Sequence, residues 1–240
     1  MDIASAVTDL DRRLRAQGSP DRAENERRYL KSDLDFYGVG VPAIRRTVGS
    51  WQADLGTLTR ADLVATVESL WSRPVHELRS AAVRLLETRA SLLEPRDMDL
   101  IERLIRQSNT WALVDNLAAS VAGPLLDRHP TADAVLDRWA SDDDFWIRRS
   151  ALLAHLIPLR SGEGDFERFA RYADAMLEEK EFFIRKAIGW VLRDTARKRP
   201  QLVYEWILPR AARASGVTIR EVVKRLPPDQ AASIREARSG

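Results

Sequence analysis

Cysteine is absent from this chain of 240 residues, and only three histidines occur, His76, His129 and His155, scattered along its length. Disulfides and thiolate metal sites are thereby excluded, and neither an HExxH pair nor a Cys/His spacing is there to hold zinc. No metal and no cofactor are expected. No apolar run reaches the roughly 18 residues that a membrane span needs, and Met1-Asp2-Ile3-Ala4 lacks the basic-then-apolar pattern of a signal peptide. The expectation is a cytoplasmic protein with no membrane partner. Phosphate-cradling glycine loops of the P-loop or Rossmann type are missing as well, and no stretch reads as a strand.

What the chain does have is helical periodicity, with apolar residues at i, i+3 and i+4, proline at starts and glycine or proline at ends. The pattern predicts helices over 2–17, 20–32, 42–54, 60–71, 75–92, 96–106, 109–121, 131–140, 144–158, 165–179, 181–198, 200–214 and 218–226. Thr59 with Asp62 resembles a capping box, and Pro42 and Pro130 suit a first helical position. Pro74, Pro95, Pro158, Pro200 and Pro227 punctuate the rest, and Asp35–Pro42 reads as a loop.

Through these helices runs a repeat. An apolar residue followed by arginine occurs at Ile44-Arg45, Leu78-Arg79, Ile147-Arg148, Ile184-Arg185 and Ile219-Arg220, with gaps of 34, 69, 37 and 35 residues. The gap of 69 is two periods, which places a deviant copy near Ala112. A helical period of about 35 marks stacked helix pairs, so the predicted fold is all-α, an α-solenoid of about six helix-pair repeats forming one domain over residues 1–240.

Taking the apolar residue as position 0 aligns the second helices of successive pairs. Position −1 holds Ala43, Glu77, Trp111, Trp146, Phe183 and Thr218; position +2 holds Arg46, Ser80, Val114, Arg149, Lys186 and Glu221; position +6 holds Ser50, Arg84, Ala118, Leu153, Trp190 and Arg225. Positions −1, +2, +3 and +6 share a helical face, and stacking would join these faces into one concave surface. Aromatic rings interleaved with cations suit nucleic acid, and that surface would carry Trp111, Trp146, Phe183 and Trp190 among Arg46, Arg84, Arg149, Lys186 and Arg225. Large aromatics at helical spacing also serve as core, the assignment favoured for Phe183. The arginines at +1 read as a structural ladder pairing with acids of adjacent turns.

Charge adds a second pointer. Although the whole chain is +2, residues 180–225 hold twelve Lys and Arg against four acids, a net +8, and residues 1–179 are −6. A basic block on an acidic array fits either a polyanion partner or a solvated face of local ion pairs.

In the deviant copy Asp115 takes position +3, where the others have Thr47, Ala81, Ser150, Ala187 and Val222. A carboxylate there needs hydrogen bonds or a cation, and it lies one turn after Trp111. Arg149 and Trp190, from the next two copies, are expected to face the same cleft.

Trp111-Ala112-Leu113-Val114-Asp115, Phe145-Trp146-Ile147-Arg148-Arg149 and the 181–193 stretch from Glu181 to Arg193 resemble the AlkD-like family of HEAT-repeat DNA glycosylases, which excise alkylated purines. Tyr29-Leu30-Lys31, Phe36-Tyr37-Gly38 and Pro42-Ala43-Ile44-Arg45 look like that family too, so the resemblance spans roughly residues 25 to 226. It implies that Asp115 is the catalytic carboxylate, that Trp111 and Trp190 pack on the sugar-phosphate backbone around the damaged nucleotide with Tyr29 nearby, and that Arg149 holds phosphate. It further implies a monomeric enzyme on double-stranded alkylated DNA that does not flip the lesion into a pocket and so tolerates bulky adducts. Thr110 before the tryptophan and the polar Asp35 of Asp35-Phe36-Tyr37 depart from the family pattern and bear on substrate preference.

The chemistry is self-consistent. Alkylation at N3 or N7 makes the purine cationic, so the leaving group needs no general acid. What remains is to stabilise an oxocarbenium-like sugar and place a water, which one carboxylate can do, where glycoside hydrolases use two. Lys186 could form a Schiff base, but beside Arg149 it is expected to meet phosphate, giving a monofunctional enzyme. The alternative is a non-catalytic helical-repeat module that binds DNA; a protein-only scaffold is the third.

Overall fold

The computed structural model describes residues 2–129 and 134–239. It is all-α: among the described residues the only β feature is an isolated bridge between Asp35 and Val75. The part of the predicted 131–140 helix before Ala134, and Pro130 as its first position, lie outside the described residues. The chain divides into two compact units, 1–117 and 118–240.

The first unit holds α1 (Ile3–Arg15), α2 (Pro20–Leu30), α3 (Val41–Leu55), α4 (Arg60–Trp71), α5 (His76–Thr88), α6 (Met98–Arg106) and α7 (Trp111–Asn116). Val7, Leu10 and Leu14 form the buried stripe of α1, which packs on α3 and α4; α5 packs on α3, α4 and α7. Trp51 is buried between helices, its indole Nε1 donating to the Ala6 carbonyl at 3.0 Å. The capping box at Thr59 and Asp62 is present in full and starts α4. Arg60, the next residue, reaches the buried carboxylate of Asp97 ahead of α6.

Helix α2 is the exception to this economy: none of its residues is buried. It is held at its start, where the Ser19 amide donates to the Tyr37 carbonyl at 2.9 Å. Gly38 permits this closeness, since its φ of 79° is left-handed and a β-carbon would stand 2.1 Å from the Ser19 carbonyl oxygen. The predicted loop therefore exists, and its anchor is Glu77. That carboxylate is fully buried (0% exposed) and accepts from the amides of Tyr37 (3.0 Å), Gly38 (2.7 Å) and Val39 (3.0 Å).

The second unit holds α8 (Gly123–Arg128), α9 (Ala134–Ala140), α10 (Phe145–Leu153), α11 (Leu156–Ser161), α12 (Phe166–Ala175), α13 (Phe182–Thr195), α14 (Pro200–Ile207), α15 (Gly216–Val222) and α16 (Pro228–Ser239). Helix α10 packs on α9, α12 and α13, and α13 on α11 and α15. Gly189 lets α13 and α15 approach, for a β-carbon there would lie 2.7 Å from that of Glu221. Within each unit the second helices of successive pairs are in contact, α3 with α5 and α5 with α7, α10 with α13 and α13 with α15. That is the arrangement of a helical-repeat fold.

Several boundaries depart from the periodicity. The 144–158 helix is two, α10 and α11, and Pro158 sits within the first turn of α11, where its missing N–H costs nothing. Helices α8 and α16 lie outside the predicted helices; Pro124 and Pro228 fall in their first turns, where proline is tolerated. The predicted helices 165–179, 181–198, 200–214 and 218–226 end earlier, at Ala175, Thr195, Ile207 and Val222, the last two passing into 3₁₀ turns.

Candidate functional site

The residues at position 0 are buried as their periodicity requires: Ile44, Leu78, Ile147, Ile184 and Ile219. So are the +3 residues Thr47, Ala81, Ser150, Ala187 and Val222. This corrects the shared-face reading: position +3 belongs to the core, one turn on from position 0, and not to an open surface.

The deviant copy departs from that phase. In α7 the buried residues are Leu113 and Val114, while Ala112 and Asp115 are half-buried. By burial Val114 takes the place of position 0, with Leu117 three residues on also buried. Asp115 then occupies the position at which every other copy carries an exposed or half-buried arginine. The fixed interval of about 35 residues fails here for a backbone reason. Asn109, just ahead of α7, is left-handed at φ 48°, and the helix passes after Asn116 into a π-helical stretch, Leu117–Ala122. Such departures concentrate at functional sites, where tertiary packing holds a strained local geometry.

Tyr29, from the last turn of α2, and Trp111, the first residue of α7, are brought together: their ring centroids are 5.8 Å apart and the planes nearly perpendicular, at 88°. Tyr29 is 72% exposed and Trp111 half-buried, so the pair presents aromatic surface to solvent. Asp115 lies one turn along from Trp111 on the same side of α7. Beside them α3, α5 and α7 enclose a small cavity of about 80 Å³ whose lining includes Ile44, His76, Ser80, Leu113 and Asn116. The His76 ring stacks on Phe36 at 4.9 Å, and burial holds its pKa below the usual value against the pull of Glu77. Arg46 is exposed on α3; Arg84 of α5 pairs with Glu87 at 2.8 Å.

In the second unit Trp146 is buried in an aromatic cluster, 4.5 Å from the Phe145 ring and 4.8 Å from that of Phe183. Phe183 is half-buried there, in keeping with packing as its first role. Arg149 is only 2% exposed; its guanidinium donates to the Phe183 carbonyl and lies 5.7 Å from the Phe183 ring. Trp190 is half-buried, with its indole Nε1 3.3 Å from Asp194. Asp194 is itself buried and held by Arg160 at 2.6 Å. Lys186 donates to Glu221 at 2.6 Å, and Arg225 is exposed.

Asp194 and Glu221 are the residues that the sequence did not single out. Each collects several cations: Arg160, Arg193 and Arg197 around Asp194, and Lys186, Arg193 and Lys224 around Glu221. Arg210 and Arg213 are likewise taken up by Asp174 and Glu178. Much of the basic block at 180–225 is therefore internally bonded. The arginine ladder is similar but uses carbonyls more than acids. Arg148 does pair with Glu179 through two bonds of 2.9 and 3.0 Å. Arg79 donates to the Gln107 carbonyl and Arg185 to that of Glu179, at 2.9 and 2.6 Å.

Burial alone would raise the Glu221 pKa, yet hydrogen bonds from Lys186 and Lys224 and the nearby Arg193 charge hold it down to about 2, from 4.5. A carboxylate with a depressed folded-state pKa contributes stability that is present above its unfolded value and disappears as pH falls through the folded one. The stability gap between wild type and Glu221→Gln, from urea unfolding, is expected to be up to about 3 kcal/mol near pH 6. It should close between pH 4.5 and 2; a gap constant over that range would sever Glu221 from its cations.

Among the described residues no helix is long and apolar enough to cross a membrane, and no group of three or more His, Asp or Glu is arranged to hold a metal. The sequence profile of a family described as DNA alkylation repair enzyme matches residues 10–226. Comparison with curated protein sequences gives no match. Among solved structures, a predicted DNA alkylation repair enzyme from Enterococcus faecalis superposes with a TM-score of 0.79 at 23% identity, covering 88% of this chain and 98% of its own. AlkD2 from Streptococcus mutans superposes at 0.60 with 14% identity, covering 99% and 98%. The smu.31 protein of Streptococcus mutans UA159 gives 0.51 at 15% identity, covering 82% and 98%. At these identities the likeness speaks to the fold.

Proposed function

From the premise that the chain belongs to the DNA alkylation repair enzyme family, we propose that it is a monofunctional DNA glycosylase of cationic N3- and N7-alkylpurines such as 3-methyladenine and 7-methylguanine. The observation that carries this reading is Asp115, half-buried one turn after Trp111, whose indole stands against the exposed ring of Tyr29. Aromatic faces attract a cation by about 0.5–2 kcal/mol each, and a carboxylate stabilises a developing oxocarbenium more strongly in a dry site than in water.

In the proposed reaction the bond from C1′ to the purine nitrogen breaks, and its electron pair returns to the base, discharging the cation. A water oriented by Asp115 bonds to C1′ and gives its proton to that carboxylate, leaving an abasic site. Trp111, Trp190 and Tyr29 pack on the sugar-phosphate backbone, and Lys186, Arg46, Arg84 and Arg225 flank it; Arg149 and Trp146, both buried, would have to turn outward to join them. Engagement of Lys186 by Glu221 supports hydrolysis without a Schiff base. The enzyme acts on the sugar of a lesion left in its stack, so bulky adducts are substrates too. The protein works as a monomer in the cytoplasm, as one domain.

Incubation with 7-methylguanine duplex, followed by alkali, tests this. Release of the free base with alkali-dependent strand breaks is expected; salt-dependent binding without release would make the protein a binding module instead, and no affinity at all would leave neither.

A further inference from the structure

The last rung of the arginine ladder differs from the three middle ones and, like the first at Arg45, is exposed. Arg79, Arg148 and Arg185 each end on a carbonyl or carboxylate acceptor. At Arg220, on α15, no such acceptor is bonded among the described residues; α16 brings two more cations instead. A pocket there is lined by Gly216, Ile219, Arg220, Val223, Arg235, Arg238 and Ser239, all within the second unit. The guanidinium nitrogens Nη1 of Arg220 and Nη2 of Arg238 each lie 3.3 Å from the point where a β-carbon on Gly216 would stand. Two like charges thus converge over a residue that leaves the space between them open, with a third, Arg235, on the same wall. All three arginines are exposed, and none has an ion pair among the described residues. Most of their basic neighbours, by contrast, are engaged by Asp174, Glu178, Asp194 or Glu221. The family match ends at residue 226, so Arg235 and Arg238 lie beyond it.

The geometry points to a phosphate-binding site built from Arg220, Arg235 and Arg238, which takes backbone phosphates of a DNA duplex apart from the lesion contacts. Guanidinium forks match phosphate oxygens in shape as well as charge, and converging forks without a carboxylate are satisfied by an oxyanion. The site rests on the DNA-repair reading for its ligand, not for its geometry.

The test is the salt dependence of binding to undamaged duplex by wild type and by Arg220→Ala/Arg238→Ala. Each phosphate contact contributes a slope of about −0.9 in log affinity against log salt, so the double variant is expected to lose about 2 from the slope. It should show roughly tenfold less sensitivity to a fourfold rise in salt. Arg220→Lys/Arg238→Lys should keep most of the slope, and alanine variants with an unchanged melting temperature are intact, since these side chains are exposed. Release of 7-methylguanine at saturating protein should be unaltered. An unchanged slope overturns the proposal, as does a site that inorganic phosphate alone fills, seen as phosphate stabilising wild type but not the variant while duplex binding is equal in both. If wild type itself shows no salt-dependent duplex affinity, the repair reading falls; if it binds and the double variant keeps its slope, only this site falls.

Discussion

Replacing Asp115 with asparagine is expected to lower release of 7-methylguanine by about 10²–10⁴-fold, the range of a lost charge-stabilising or general-base group. Duplex affinity should hold or rise, because the change removes a negative charge from a surface proposed to meet phosphate. The split between catalysis and binding is the informative part. Asparagine keeps the size of the side chain and its half-buried setting in α7, so a fall in melting temperature of more than a few degrees would point to a structural role. Single-turnover release equal to wild type would remove Asp115 from the chemistry and with it the proposed mechanism. Trp111→Ala offers a contrast: it should weaken binding and release together, since on the proposed reading the ring contacts the ground state as well as the transition state.

The largest effect on stability is expected at Glu77. Its carboxylate is fully buried and holds the amides of Tyr37, Gly38 and Val39. Truncation to alanine strands those donors; a buried donor left unmade costs about 1–3 kcal/mol, and breaking a buried charged network costs about 3–5 kcal/mol. For a chain of this size that corresponds to a fall in melting temperature of roughly 10 °C. Glu77→Gln, which keeps an acceptor but turns an amide donor toward the loop amides, should fall between. Calorimetry of the three proteins checks the order, and an alanine variant within 2 °C of wild type would mean that the loop is held by something else. Because the same loop fixes Ser19 at the start of α2, the alanine variant should also bind duplex more weakly, through Tyr29.

The helices were legible because their apolar residues recur at helical spacing, and the repeat because its apolar-arginine pair keeps nearly constant phase. Asp115 stood out for the same reason, as a carboxylate where other copies have small residues. Its true register was not legible, since a left-handed Asn109 and a π-helical stretch shift the phase of one copy, and neither has a sequence signal strong enough to override a fixed interval. Proline misled at Pro158, which stands in the first turn of α11 instead of ending a helix. Glu77 gave a faint signal, an acid at a position otherwise Ala, Thr or aromatic. Asp194 and Glu221 gave none, because which of the surrounding arginines and lysines turn inward is decided by contacts between helices far apart in sequence.

No residue of helix α2 is fully buried, and its half-buried apolar residues are only Ala23 and Leu30, so unwinding it would expose little new apolar area. The free energy opposing its local opening comes from its own backbone bonds, its tether at Ser19 and the contact of Tyr29 with Trp111, and belongs at the low end of what the protein as a whole resists. The element that displays Tyr29 is therefore the cheapest in the first unit to reshape. On the proposed reading a lesion-bearing strand could redirect that ring without disturbing the core, and part of the affinity gained would be consumed in settling the helix into its new position.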